Sequence, residues 1–477
     1  MTQKKYDIII IGAGSGGLSV GLFMNKAGFK VLMLAKTDSD IGGDCLNDGC
    51  VPSKALIHVA KIVNSAKTAA AFGLQVSGKV DIQKAIDYVY SKQELIRKHE
   101  NAQWLREQGI DVVLGNAHFE DQNEVDVNGE KYTGKNIVIA TGSSPKKLQV
   151  PGIEKVKYYD NEKVFHLQDL PDRLLVIGGG PIGIEIAQAL NRLGSKVTVI
   201  HKGAMILERD DATLTAILLT QLQAEGIEFI FNASIEEFTS ASEGVIRISG
   251  TVQAIHFDAV FVATGRELLL QPLQLQKAGI AVKDNKIIID QYLRTTNKNV
   301  FVCGDIAGDL QFSHAAEFHA RILINNFFSP LKKKLDNRYM SWVTFTDPEV
   351  ATFGLNEKQL QERNIRFEKL EQDFSMDDRA VVDNYRYGKQ VVLISKGAWY
   401  KKQVILGGSM IAPNAGELIQ ELILANANKL SINAIFNKVY PYPVASRVNQ
   451  MLIVQHKEKM LTAMVKKLLQ QAYKIFS

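Results

Sequence analysis

At 477 residues the chain is too long for a single core and fits roughly three domains of ~150 residues. Its 46% hydrophobic and 22% charged residues, with 36 glycines and 11 prolines, describe an ordinary soluble globular protein. A net charge of +5 without a long basic block argues against nucleic acid, and three cysteines exclude a disulphide framework and suggest a reducing, cytoplasmic setting.

Met1 to Lys5 followed by an apolar run has the outline of a signal peptide, yet Gly12, Gly14, Gly16 and Gly17 interrupt the run and no cleavage pattern follows. No stretch reaches ~18 uninterrupted apolar residues, so no membrane span is predicted. Tyr6 to Ile11 predicts a buried parallel strand. Gly12, Gly14 and Gly17 then open a helix that ends near Gly28, and Lys30 to Leu34 predicts the next strand. Glycines at this strand-to-helix junction let a backbone approach a pyrophosphate, and the helix N-terminus offers free N–H groups.

Just downstream, Gly42 and Gly43 precede Cys45 and Cys50, and Lys54 follows. Two cysteines this close behind a dinucleotide loop suggest a cofactor facing a redox-active dithiol. Metal ligation, inert thiols and a structural disulphide are the other readings. Ile137 to Ile139 predicts a strand running through Ala140 and Thr141 into a glycine turn at Gly142.

The nucleotide pattern then recurs. Leu174 to Ile177 predicts a strand, Gly178, Gly180 and Gly183 the loop, a helix carries Glu185, and Lys196 to Ile200 predicts the second strand. Val260 to Gly265 repeats the strand and glycine turn. Two such units imply two dinucleotides, as an enzyme passing hydride between flavin and nicotinamide requires. The acid that commonly binds a ribose at the end of the second strand is missing from both. The first unit has Ala35 and Lys36 there, so a backbone group or water must serve the ribose. The second has His201 and Lys202, which suit a 2′-phosphate and favour NADPH over NADH. Asn299 to Cys303 predicts a strand ending at Gly304 and Asp305, an acid suited to a cofactor hydroxyl. Cys303, inside that strand, reads as a packed apolar residue. No metal-ligand set is predicted.

These segments together resemble the class I FAD-dependent pyridine nucleotide–disulphide oxidoreductases, relatives of which include dihydrolipoamide dehydrogenase, glutathione reductase and mercuric reductase. The resemblance runs from Asp7 to about Gln450, with Thr344 to Ala351 similar to the opening of the family's dimerisation domain and Gly416 to Ile419 lying within it. It implies that Gly12, Gly14, Gly17, Gly43, Ala140, Thr141, Gly142 and Asp305 hold FAD. Gly178, Gly180, Gly183, His201, Lys202 and Gly265 would hold the nicotinamide dinucleotide. Lys54 and Glu185 would form the pair beside the flavin, Cys50 the inner thiol and Cys45 the outer thiol that attacks substrate.

One stretch departs from the family pattern. Where its disulphide reductases carry a His-Pro acid–base and a nearby glutamate, this chain has Tyr442-Pro443 and Arg447. Tyrosine is a poor base at neutral pH, which counts against a dihydrolipoamide dehydrogenase. A tyrosine there resembles mercuric reductase, as a structural packing role for Tyr442 also allows. That enzyme's C-terminal cysteine pair and N-terminal metal-carrier domain have no counterpart here, since the last cysteine is Cys303. From Met451 the chain predicts one amphipathic helix with a lysine-rich face. Packing on its own dimer is the expected role, with an anionic membrane surface and its quinones as the other.

The expected fold is α/β: two Rossmann-like dinucleotide-binding domains, FAD over 1–150 and 271–335 and NAD(P) over 151–270. A C-terminal α+β dimerisation domain (336–450) and a helical tail (451–477) follow. The expected function is a homodimeric oxidoreductase passing electrons from NADPH through FAD to the Cys45–Cys50 disulphide and on to a metal ion or other small oxidant. The alternatives are a dihydrolipoyl dehydrogenase using lipoamide and NAD, and a flavin-binding interaction protein with decayed activity.

Overall fold

The computed structural model describes residues 4–397 and 402–477; Met1, Thr2 and Gln3 of the signal-like start lie outside them. The described chain groups into two units, Met1–Lys202 with Glu228–Asp336, and Gly203–Ile227 with Asn337–Ser477.

The first unit is built on two parallel sheets. Strands Asp111–Leu114, Val31–Ala35, Lys4–Ile11 and Glu130–Ile139 lie side by side, and Val300–Val302 pairs with the last of them. Ile8, Ile9 and Ile10 are wholly buried, because helices cover a parallel sheet on both faces and its strands must be apolar throughout. A hairpin, Ala117–Asp121 and Glu124–Val127, extends this sheet antiparallel. The second sheet runs Glu228–Ile230, Lys196–Ile200, Arg173–Ile177, Ala259–Val262, Tyr158–Tyr159, all parallel. A three-stranded antiparallel sheet over Ala233–Ser240, Glu243–Ile248 and Thr251–His256 follows it in sequence.

In the second unit a five-stranded antiparallel sheet runs Ser341–Thr344, Glu349–Gly354, Ile405–Ala412, Lys389–Ser395, Phe367–Asp373. Its core joins Phe353, Phe374 and Met410 of the sheet region to Val448, Leu452 and Ile453. Among the described residues no helix is long and apolar enough to cross a membrane.

Two features differ from the sequence expectation. Residues 203–227, expected within the nicotinamide domain, group with the second unit. Within that unit the half-buried Asp210 accepts hydrogen bonds at Oδ1 from Trp342 Nε1 and Thr352 Oγ1, both at 2.8 Å. The tail expected as one helix from Met451 is instead two, Arg447–Lys459 and Ala463–Phe476. Thr462 adopts extended backbone and caps the second helix, its Oγ1 accepting from Val465 N at 3.4 Å, so the first helix must stop before it.

Asp210→Ala strands two donors in the interior, and a loss of about 2–3 kcal/mol is expected. A lowered thermal midpoint, recovered in part by Asp210→Asn, is the measurement that checks it.

Candidate redox-active site

The two glycine loops are constructed alike. Gly12 (φ 108°) and Gly178 (φ 121°) take left-handed backbone, and a side chain on either would strike the carbonyl of Ala140 or Ala263. A Cβ on Gly17 or Gly183 would strike the carbonyl of Gly12 or Gly178, so these positions bring helix onto strand. Gly180 faces open space, and the nearest atom to a Cβ on Gly14 is Gly43 Cα, 3.6 Å away. Helices Ser15–Lys26 and Pro181–Leu193 begin without a side-chain cap. Their unsatisfied N–H groups and positive dipole ends therefore meet a gap free of side chains, which is the donor set a pyrophosphate fits.

Beyond the loops, Gly142 and Gly265 both turn through left-handed backbone, and Ala140 N and Ala263 N hydrogen-bond back to the strands before Gly12 and Gly178. At the second loop, Gly179 N–H donates to His201 Nδ1 at 3.0 Å. That bond commits Nδ1 as an acceptor, while Lys202 next to it is exposed.

Backbone contacts fasten the cysteine segment to the first loop. Gly42 N donates to Ala13 O at 2.9 Å, and a Cβ on Gly43 would stand 2.7 Å from Gly14 Cα. Cys45 lies in the short helix Gly43–Asn47, and Cys50 opens the long helix Cys50–Thr68. Gln93, buried, holds the turn between them by donating to Leu46 O (2.9 Å) and Asn47 O (2.7 Å). One helical turn beyond Cys50, Lys54 Nζ meets the buried Glu185 Oε2 at 2.9 Å.

Both thiols are unbridged. Cys50 Sγ is 3.2 Å from Ser313 Oγ, the first residue of helix Ser313–Phe328. A hydrogen bond from the Cys45 thiol, then Ser313 and the Lys54 charge, pull the Cys50 pKa below the usual thiol range against the opposing effect of burial. The same shared proton, with burial, pushes Cys45 up. Burial, with Asp44 and Glu162, raises the Asp48 carboxyl to about 7. Cys303 is fully buried, and burial alone lifts its thiol to about 12, as a packed apolar residue requires.

Sequence reasoning missed the side chains that knit these parts together. Asp305 Oδ2 accepts from Ser143 Oγ at 2.6 Å. Arg266 donates to Ser143 Oγ (2.7 Å) and Ser143 O (2.8 Å), and its Nη2 lies 3.2 Å from Asp44 Oδ1. Ser143 and Arg266 each directly follow a glycine turn that the sequence did single out. Burial raises the Asp305 carboxyl above its ordinary range. Tyr442 belongs to the second unit and is exposed; its hydroxyl lies 3.2 Å from Asp378 Oδ2, and the Arg447 guanidinium sits 5.7 Å over its ring.

Residues 6–320 match the pyridine nucleotide–disulphide oxidoreductase family, and residues 340–452 match that family's dimerisation domain. The chain belongs to this family. It is therefore an enzyme, and FAD and NAD(P)H are its cofactors. Mercuric reductase of Staphylococcus aureus is 30% identical over 92% of this chain and 80% of its own length. Dihydrolipoyl dehydrogenase of Mycoplasma genitalium is 30% identical over 93% of this chain and 96% of its own. Among solved structures, the Cu(II) complex of the HOCl-induced flavoprotein disulphide reductase RclA from Escherichia coli superimposes with a TM-score of 0.83 at 26% identity. The match covers 95% of this chain and 100% of that one.

In this oxidoreductase Ser313→Ala removes a donor to the Cys50 thiolate. Its pKa should rise by about 1 unit or more, toward the ordinary thiol value. The pH profiles of thiolate ultraviolet absorbance and of alkylation check this, both moving to higher pH. Gly180→Ala should leave the thermal midpoint unchanged and weaken binding of the nicotinamide dinucleotide roughly 10-fold or more. Gly178→Ala, strained at positive φ and overlapping Ala263, should destabilise the fold itself, and calorimetry beside cofactor titration separates the two.

Proposed function

We propose that this oxidoreductase passes electrons from NADPH by way of FAD to the Cys45–Cys50 disulphide, and from the resulting dithiol to a small thiophilic acceptor. The acceptor class is a soft metal ion or another small oxidant. The observation that carries this reading is the setting of the two thiols: both follow the first glycine loop, and Ser313 Oγ at 3.2 Å and Lys54 one turn along the helix favour the thiolate at Cys50. Mercuric reductases and a copper-bound disulphide reductase among the relatives support an acceptor that thiolates bind well.

FAD, when bound, supplies the two-electron link between nicotinamide and disulphide. Gly12, Gly14, Gly17, Gly43, the turn Ala140–Gly142 and Asp305 are the residues that would hold it. Gly178, Gly180, Gly183 and Gly265 would hold the nicotinamide dinucleotide. With His201 and Lys202 at the strand end and no acid at either position, a 2′-phosphate is favoured and NADH disfavoured. Lys54, paired with Glu185, offers a positive charge next to the inner thiol.

Two electrons and one proton convert the disulphide to a Cys50 thiolate and a Cys45 thiol. Cys45, once deprotonated, is the nucleophile towards the acceptor. That deprotonation gives up the one proton taken in, and re-forming the disulphide delivers both electrons to the acceptor. A homodimer completes the site, with Tyr442 of the second unit contributed across the dimer in place of the family's histidine. Its hydroxyl is turned towards Asp378 and its ring covered by Arg447. Such a phenol binds or hydrogen-bonds an acceptor but is a weak proton carrier for lipoamide.

The FAD-loaded protein, mixed anaerobically with NADPH, should develop a long-wavelength thiolate-to-flavin absorption band. Cys45→Ser should show that band before any reductant, because Cys50 then has no partner, and should lose about 100-fold or more of NADPH-dependent mercuric or cupric ion reduction. Tyr442→His with Arg447→Glu should raise dihydrolipoamide turnover above the wild type. Full metal turnover in Cys45→Ser would reject the dithiol route, and brisk wild-type turnover of dihydrolipoamide with NAD would replace the acceptor class.

A further inference from the structure

We infer that the C-terminal helix Ala463–Phe476 docks this protein on an anionic lipid surface. The helix is capped and continuous, yet none of its residues is buried. Met464, Val465, Leu468, Leu469, Ile475 and Phe476 fall on one side at the 3.6-residue repeat. Met464 is 71% and Phe476 88% exposed, so this face is not part of the core that buries Leu452 and Ile453. Lys466, Lys467 and Lys474 occupy the opposite side, with Tyr473 at the boundary. From Lys459 to Ser477 there is no aspartate or glutamate, so no acidic side chain of the segment offsets the lysines.

An apolar face backed by lysines and free of acids is the pattern of a helix lying in the plane of a bilayer. The apolar side chains enter the boundary of the acyl chains, and the lysines meet negatively charged headgroups. A second copy of the chain is a poorer occupant. The match to the dimerisation domain ends at residue 452, before this helix begins. The break at Met460 to Thr462 separates the helix from the buried one before it, so docking leaves the folded core undisturbed.

The test is sedimentation of the FAD-loaded, full-length protein with vesicles of phosphatidylglycerol and phosphatidylcholine, and with vesicles of phosphatidylcholine alone. Wild type is expected to come down with the first and stay in solution with the second. Lys466→Gln/Lys467→Gln/Lys474→Gln should bind the anionic vesicles roughly 100-fold more weakly, at about 5-fold per lysine, and Leu468→Asp should also release them. Both variants should keep wild-type flavin reduction by NADPH and the same oligomeric state. Failure of wild type to bind anionic vesicles overturns the inference, as does equal binding to both kinds. A change of oligomeric state in a chain stopped after Met460 overturns it too, because a second copy would then be what covers the helix.

Discussion

Gly43 and Gly14 meet backbone to backbone, and the neighbouring Gly42 N–H is bonded to Ala13 O. Gly43 does not tolerate a side chain, since its Cβ would stand 2.7 Å from Gly14 Cα. That contact holds the segment bearing Cys45 and Cys50 against the loop that opens the first nucleotide helix. Once it is made, the direction of helix Cys50–Thr68 is set, and Lys54 one turn along it reaches Glu185 on the helix of the second loop. A single close approach between two short stretches of backbone thus relates both nucleotide loops to one pair of sulphur atoms.

Electrostatics follows from the same geometry. Five helices of the first unit, beginning at Ser15, Gly43, Cys50, Pro181 and Ser313, start without a side-chain cap. Others are capped: Asp81, Asn101 and Asp211 each accept from the first turn of the helix they precede. Uncapped N-termini leave N–H groups and a partial positive charge available, and the chain directs them at positions where phosphate or thiolate is expected. The Cys50 thiolate benefits twice, from its own helix and from the Ser313 hydroxyl that opens another.

Much of this was legible in the sequence because it is local. The spacing of Gly12, Gly14 and Gly17, or of Cys45, Cys50 and Lys54, is fixed by a single turn or helix, and the strands advertise themselves as apolar runs. Partners brought together by folding carried no such signal. Ser313 lies 263 residues from Cys50, and Arg266 lies 123 residues from Ser143. A glycine turn marks the place of Arg266, but its partners, like that of Ser313, lie too far along the chain for spacing to show. The tail was misjudged for a related reason: its apolar periodicity continues across Thr462, and the hydrophobic repeat does not register a cap in mid-course. The bonds that Asp210 accepts from Trp342 and Thr352 likewise join residues far apart in the chain.

Arg266 faces two carboxylates, Asp44 at 3.2 Å and Asp305 at 3.8 Å, and also grips Ser143. It stands at the turn of the second nucleotide sheet, whereas all three of its partners belong to the first nucleotide half of the unit. Taking the guanidinium away leaves two acids facing one another without a counter-charge; taking Asp44 away leaves the cation under-matched instead. The effects of single substitutions at these positions cannot add. Positions 44, 266 and 305 are therefore energetically coupled, and what a substitution costs at one depends on which side chains stand at the other two.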